Sequence, residues 1–284
     1  MEPFANEVMK YKMTDEDFGK LSSFVSEELG IKMPYPKKLM LQGRLQKRVA
    51  DLKLSSFKEY LDFVFSKKGM ENELITMIDQ ITTNKTDFFR EATHFDFIAK
   101  YILPELVSGK YAKRTIRILS AGCSSGEEPY SIAIVLKEFL LDHPETDFEI
   151  VGTDISLRIL KKAAMAIYSN DKIACISDDL KKKYFLKSKD PSEKSVRLTS
   201  EIRSKVIFKR MNLMDTSYDV DKEFDIIFCR NVLIYFNHEN QQNVITKLAS
   251  KLKQNGFFFL GHSESIINMN VPLSQIKPTI FRKN

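Results

Sequence analysis

T115-I-R-I-L-S-A-G-C-S-S-G-E-E128, followed by F148-E-I-V-G-T-D154, decides the fold. A β-branched apolar run, Thr115–Ala121, stops at Gly122. A helical pattern over Glu128–Leu141 comes next, with Ile132, Val135, Leu136 and Phe139 on its inner face. Phe148–Asp154 reads as a second strand and Ile155–Ile167 as a second helix. Farther on, Phe224–Cys229, a helix over Glu239–Lys253 and Gly256–Leu260 continue the alternation. Strands alternating with helices predict a doubly wound, mostly parallel α/β sheet covered on both faces.

Such a sheet binds ligands at the carboxyl ends of its strands. Gly122 lets backbone approach a ligand where a Cβ would clash. The spacing is not GxGxxG: Cys123, Ser124 and Ser125 separate Gly122 from Gly126, and Glu127 and Glu128 open the helix. Those acids repel phosphate, although a helix N-terminus alone attracts anions. Their other reading is as partners of the helix dipole. Asp154 ends the second strand, where an acid accepts hydrogen bonds from both ribose hydroxyls. The set favours a cationic, phosphate-free nucleoside, S-adenosylmethionine, over a dinucleotide.

Upstream, Thr14 and Asp17 form a capping-box pattern. Phe18, Leu21, Val25 and Leu29 follow at helical spacing, and Gly30 occupies the C-cap. A second helix is predicted over Lys37–Leu52, a third around Phe57, Leu61 and Val64, and a fourth around Leu74, Ile75, Ile78 and Ile81. The expected organisation is an all-helical N-terminal domain over 1–82, a linker segment and leading helix over 83–114, and an α/β domain over 115–284. An insertion at about 168–205 interrupts the alternation. It contains a helix-like stretch, Asp178–Phe185, and β-like runs at Ser195–Leu198 and Val206–Met211, and most of it reads as a small antiparallel sheet.

With 43% hydrophobic and 29% charged residues in 284, the composition is that of an ordinary globular chain. The net charge of +6 is unevenly placed: residues 155–211 carry +9 and residues 91–154 carry −5. That favours a local basic surface for an acidic partner. Cys123, Cys175 and Cys229 include no CxxC pair, so neither a disulfide framework nor a zinc knuckle is expected. No apolar run approaches the ~18 residues of a membrane span. MEPFANEVMK has no apolar signal core. A cytoplasmic protein without membrane insertion is expected.

His94, His143, His238 and His262 are scattered without an HExxH pair, so no metal site is expected. GxSxG and P-loop patterns are absent. Cys229 is not preceded by proline, as the nucleophile of base C5 methylation would be. R230-N-V-L-I-Y-F236 is not the Asn/Asp-Pro-Pro-aromatic pattern of many nitrogen methylators. An acceptor that needs no activation fits this set. A carboxylate with a pKa near ~4.3 is already ionised at neutral pH, and the protein need only align it and exclude water. Arg90, Arg230 and Tyr235 are candidates to hold it.

T82-T-N-K-T-D-F-F-R-E91, A121-G-C-S-S-G-E-E-P-Y-S131, F228-C-R-N-V-L-I-Y-F236 and G261-H-S-E264 together resemble the chemotaxis receptor methyltransferase (CheR) family. The resemblance spans nearly the whole chain. It implies a Rossmann-like methyltransferase sheet with a small antiparallel β insertion after an all-α domain. It also implies methyl transfer from S-adenosylmethionine, leaving S-adenosylhomocysteine, to glutamate side chains in the cytoplasmic region of chemoreceptors. The products would be glutamate 5-O-methyl esters, used in chemosensory adaptation.

Site roles follow from the same resemblance. Asn84, Thr86 and Arg90 would line the cofactor and active site. Glu128 would bind the methionyl ammonium and Asp154 the ribose, with Asn212 and Leu213 flanking the adenine. Arg230 and Asn231 would close the pocket, and Arg90 and Tyr235 would face the reacting methyl and the substrate carboxylate. Plainer readings stand beside these. Asn84 and Thr86 could cap a helix, Asn212 could be a turn residue, and Tyr235 could be a packed aromatic with a wet hydroxyl. His262 reads as a structural histidine rather than a base.

Lys37, Arg44, Lys47 and Arg48 fall within a sector of roughly 100° beside the second helix's apolar stripe. Asp51 partly offsets them. They are similar to the family's receptor-facing helix, which would meet glutamate-rich segments; the alternative is a solvated charged face. The insertion is similar to a β-subdomain that in some members pairs with a receptor C-terminal peptide. Lys187–Ser195 lacks the glycine of those members' turn, so this tethered mode is not expected. A monomer is expected. Two competing readings are nucleic-acid methylation, prompted by a pI of about 9.0, and a silent adaptor that binds the cofactor. The first lacks aromatic–basic interleaving for base stacking; Arg90, Arg230 and Tyr235 speak against the second.

Overall fold

Thr14 starts the first helix as its spacing dictates: Asp17 N–H donates to Thr14 Oγ1 and Thr14 N–H to Asp17 Oδ2, both at 3.0 Å. The computed structural model describes residues 11–108, 114–190, 192–220 and 223–284. The N-terminal ten residues, on which the absence of a signal core was read, lie outside these, as does Pro191 in the insertion. Helix α1 (Asp15–Leu29) ends at Gly30, whose φ of 67° is left-handed. There follow α2 (Lys38–Asp51), α3 (Phe57–Val64), α4 (Lys67–Asn72) and α5 (Leu74–Ile81). Their apolar stripes, among them Leu21, Val25, Leu41, Leu45, Val49 and Phe57, bury completely in one core. Helix α4 has no counterpart in the sequence reading, because its six residues, KKGMEN, carry no apolar periodicity.

An irregular strip over 82–92 leads to a helix in three parts: α6 (Thr93–Phe97), a π-helical turn (Ile98–Ile102) and α7 (Leu103–Val107). The α/β part then supplies β1 (Thr115–Ala121), α8 (Glu127–Phe139), β2 (Asp147–Asp154) and α9 (Leu157–Met165). Next come β3 (Ile167–Ser169), α10 (Asp178–Tyr184), β4 (Phe185–Lys187), β5 (Ser195–Leu198), α11 (Ser200–Arg203) and β6 (Val206–Arg210). The chain closes with β7 (Phe224–Cys229), α12 (His238–Ser250), β8 (Leu252–Leu260), β9 (Leu273–Lys277) and β10 (Ile280–Lys283).

The main sheet has the order β6-β2-β1-β7-β8-β10-β9. Its first five strands are parallel, and β10 and β9 are antiparallel additions. Every residue of β7 is buried, as a central strand covered on both faces requires. The small sheet β3-β5-β4 is wholly antiparallel, as expected of the insertion. Val206–Arg210, one of the β-like runs read between Tyr168 and Met211, pairs with β2 as the parallel edge strand of the main sheet. Strand order reverses between β1 and β7, and the cleft opens at the strand ends there. Among the described residues no helix is long and apolar enough to cross a membrane.

Candidate active site

Two adjoining cavities, of about 200 and 50 Å³, meet at the carboxyl ends of β1, β2 and β7. Thr83, Asn84, Gly122, Asp154 and Val232 line both. The glycine turn is pinned to the sheet, with the Gly122 and Cys123 N–H groups donating to the Thr153 carbonyl at 2.7 and 2.8 Å. Gly122 has φ 79°, and a Cβ there would sit 2.4 Å from Val232 Cγ2. Only glycine serves at this position, for backbone conformation and for space.

Asp154 is buried at the end of β2. Its Oδ2 accepts from Ser124 N–H at 2.9 Å and its Oδ1 from Ser156 N–H at 3.0 Å. Burial pushes its carboxyl above the usual aspartate range, against the pull of these N–H groups. The two acids that open α8 diverge. Glu128 lines the smaller cavity, accepting from Ser120 Oγ at 2.7 Å and Arg230 Nη1 at 3.2 Å. Glu127 is 2% exposed and turns toward Ser125 Oγ and Lys172. Burial raises the pKa of both, with Arg230 opposing it at Glu128.

Arg230 is nearly fully buried and lies between two carboxylates, Glu91 at 2.9 Å and Glu128 at 3.2 Å. It also donates to the Arg90 carbonyl. Glu91 further accepts from Asn231 Nδ2 and from His262 N–H, each at 3.2 Å. Burial raises the Glu91 carboxyl, but Arg230 and these hydrogen bonds hold it below the ordinary glutamate range. Glu91, His94 and His262 bring ligand-type atoms within 4.8 Å of one another. Arg230 already neutralises the one carboxylate among them, so the trio is part of an ionic network.

Of the residues singled out from sequence, Asn84, Thr86, Arg90, Glu128, Asp154, Arg230 and Asn231 line the smaller cavity. Asn84, Asp154, Asn212, Leu213 and Tyr235 line the larger one. Asn84 and Thr86 cap no helix, since α6 starts only at Thr93. The Asn84 carbonyl instead accepts from Ser124 Oγ at 2.9 Å. The Asn212 side chain is occupied, donating to the Glu28 carbonyl and accepting from Met214 N–H. His262 is 59% exposed at the rim of the network.

The basic helix is only partly free. Arg44 donates to the Ile81 and Thr82 carbonyls at 2.6 and 3.2 Å. Arg48 makes a two-pronged pair with buried Glu73, at 2.8 Å on each oxygen. Lys37 lines the larger cavity, 5.8 Å from the Tyr235 ring centroid, and Lys47 is exposed.

Sequence reasoning gave no role to Glu264. Its buried carboxylate accepts four backbone N–H groups: Gly261 at 2.6 Å, Leu233 at 2.7 Å, and Asn231 and Val232 at 2.9 Å. It fixes the loop after β7 that carries Arg230, Asn231 and Val232. An acid three residues after the glycine that ends an apolar run, GFFFLGHSE, was the available signal.

The glycine turn, the acid at the end of β2 and the acidic floor beside it at a parallel-sheet switch point are those of a methyltransferase that uses S-adenosylmethionine, and the family match gives that class. The chain belongs to the CheR methyltransferase family. Residues 16–82 match "CheR methyltransferase, all-alpha domain" and residues 84–281 "CheR methyltransferase, SAM binding domain". It is 38% identical to the chemotaxis protein methyltransferase of Borreliella burgdorferi, over 97% of each chain. It is 35% identical to that of Escherichia coli, over 90% of this chain and 87% of the other. Among solved structures, the N-methyltransferase NodS of Bradyrhizobium japonicum with S-adenosylhomocysteine matches at TM-score 0.35 and 15% identity, over 64% of this chain and 65% of that one.

Proposed function

We propose that this chain methylates ionised glutamate side chains of chemoreceptors, forming 5-O-methyl esters in the cytoplasm. One observation carries the reading: among the described residues, no histidine or cysteine lines either cavity, while Lys37, Arg90 and Tyr235 stand at their walls. With Asp154 and Glu128 given to the cofactor, a cleft without a histidine or cysteine suits an acceptor that arrives already deprotonated, and a carboxylate meets that condition at neutral pH. The cations and the phenol suit an anionic oxygen.

S-adenosylmethionine, when bound, supplies an electrophilic methyl on a sulfonium. The residues present fit it: Gly122 leaves room for close approach, Asp154 would take the ribose hydroxyls and Glu128 the ammonium. Asn212 and Leu213, which line the larger cavity, would flank the adenine. Arg90 and Tyr235 orient the incoming carboxylate, and the buried walls exclude water. No proton needs to move.

The experiment is incubation with methyl-labelled donor, cytoplasmic receptor fragments and RNA. Base-labile label on the receptor glutamates is expected. Label confined to RNA, or donor binding without turnover on receptor, overturns the reading.

A further inference from the structure

The insertion grips the cleft from behind. Tyr168, on β3, donates its hydroxyl to the Ser125 carbonyl in the glycine turn at 2.7 Å. Lys172, in the turn Asn170–Ile173, donates to the Thr86 carbonyl at 2.6 Å and to Asp87 Oδ1 at 2.8 Å. Its Nζ also lies 3.8 Å from Oε1 of Glu127, which is 2% exposed at the start of α8. Phe88 packs edge-on against Tyr168 and Phe185 of the insertion, at 4.9 and 5.7 Å between ring centroids. Thr86 and Asp87 belong to the strip that lines the smaller cavity.

We infer that Lys172 is a positioning residue: it ties the insertion to the strip over 84–90 and thereby sets the affinity of the cleft for its nucleoside ligand. The electrostatics give the reason. Asp87 sits on the strip and Glu127 on α8; burial, and to a lesser degree the Asp87 charge, disfavours the ionised form of Glu127. Lys172 is the cation between them. Its hydrogen bonds to a carboxylate and a carbonyl are charge-assisted and short. Remove it and attraction becomes repulsion, which pushes Thr86 and Asp87 away from the glycine turn. Both Lys172 and Asp87 are partly exposed, at 39% and 51%, so their direct pair is screened. The weight falls on the Thr86 carbonyl and the buried Glu127.

The inference rests on reading this cleft as the cofactor site, so the test separates the two. Hydrogen exchange of the ligand-free protein reports the strip, and calorimetry with S-adenosylhomocysteine reports the site. Lys172→Ala should speed exchange over 84–90 and weaken binding about tenfold, the size of one lost charged hydrogen bond. In the methylation assay KM for the donor should rise with kcat within about twofold, the pattern of lost ground-state binding. Lys172→Arg should retain most of the affinity. Asp87→Ala added to Lys172→Ala should restore part of it, because it removes the repulsion; a merely structural lysine would show no such rescue. Lys172→Met keeps the aliphatic stem and carries the same expectation should the alanine variant fold poorly. Lys182→Ala, an exposed control in the insertion, should match wild type. Wild-type affinity in Lys172→Ala or Lys172→Met, or faster exchange without weaker binding, overturns the inference alone. A wild-type protein that takes up no S-adenosylhomocysteine overturns the cleft reading and the inference together.

Discussion

Replacing Glu264 with glutamine changes one atom type and tests how the loop after β7 is held. The carboxylate accepts four backbone N–H groups, two on each oxygen. An amide keeps one oxygen, so two of the four donors would face an NH2 group instead. At ~1–3 kcal/mol for each buried donor left unpaired, the loss is ~2–6 kcal/mol. Burial raises the Glu264 carboxyl, so ionising it in place is itself costly, and a neutral side chain recovers part of the loss. A net destabilisation of ~2–4 kcal/mol remains, within the ~5–15 kcal/mol of a typical domain, so the protein should still fold. Urea unfolding would show a lower midpoint with an unchanged slope. The freed loop carries Arg230, Asn231 and Val232, so affinity for S-adenosylhomocysteine should fall as well. A wild-type midpoint in Glu264→Gln would refute the claim that these four bonds fix the loop.

Further outcomes follow from the same geometry. Burial, then the Arg230 charge, lowers the His94 pKa to about 4, so between pH 6.5 and 4 the unfolded chain takes a proton that the folded one refuses. Stability should therefore fall as pH drops through that window, by roughly 1.4 kcal/mol per pH unit or ~3 kcal/mol in all; denaturation curves at pH 7 and 5 should diverge in wild type and converge in His94→Gln. Asp154→Asn should weaken S-adenosylhomocysteine binding by one to two orders of magnitude, since a hydrogen bond to a charged group is worth ~1.5–3 kcal/mol, and unchanged calorimetric affinity would deny it the ribose. Arg48→Ala should cost ~3 kcal/mol by stranding buried Glu73. Lys47→Glu should leave thermal stability intact and lower methylation of receptor fragments, and equal rates in that variant would remove the helix from receptor docking.

The parts of this protein that were legible in sequence are those whose causes are local. Strand, glycine turn and helix are written within Thr115–Phe139, and the cap of α1 within four residues. Asp154 could be placed because a strand end is a local event. The β9–β10 hairpin was not read, because Leu273–Lys283 mixes exposed polar residues with a proline and has only Leu273, Ile280 and Phe281 buried. Glu91 gave no signal of its role because Arg230 lies 139 residues away, and the pattern around Glu264 does not show the loop it holds 31–33 residues upstream. Of the four charges in the α2 sector, two are spent inside the fold. Arg44 and Arg48 find partners 25–38 residues away, and only the folded chain brings those within reach.

Those long-range ties also make the helical segment part of the cleft. Leu29, Ile31, Met33, Met40 and Ile81 form one wall of the larger cavity, facing Met211, Leu213 and Phe236 from the α/β part. The two walls are held together by backbone as much as by apolar contact. Lys32 N–H donates to the Tyr235 carbonyl at 2.8 Å, Asn212 Nδ2 to the Glu28 carbonyl at 2.9 Å, and Arg158 Nη2 to the Asp79 carbonyl at 3.0 Å. Each tie ends on, or close beside, a residue of the cleft. An acidic helix docking on Lys37 and Lys47 would therefore press on the wall that faces Tyr235. If the acceptor of the proposed function docks there, its recognition and its alignment would be mechanically linked, because Lys37 and Tyr235 line the same cavity.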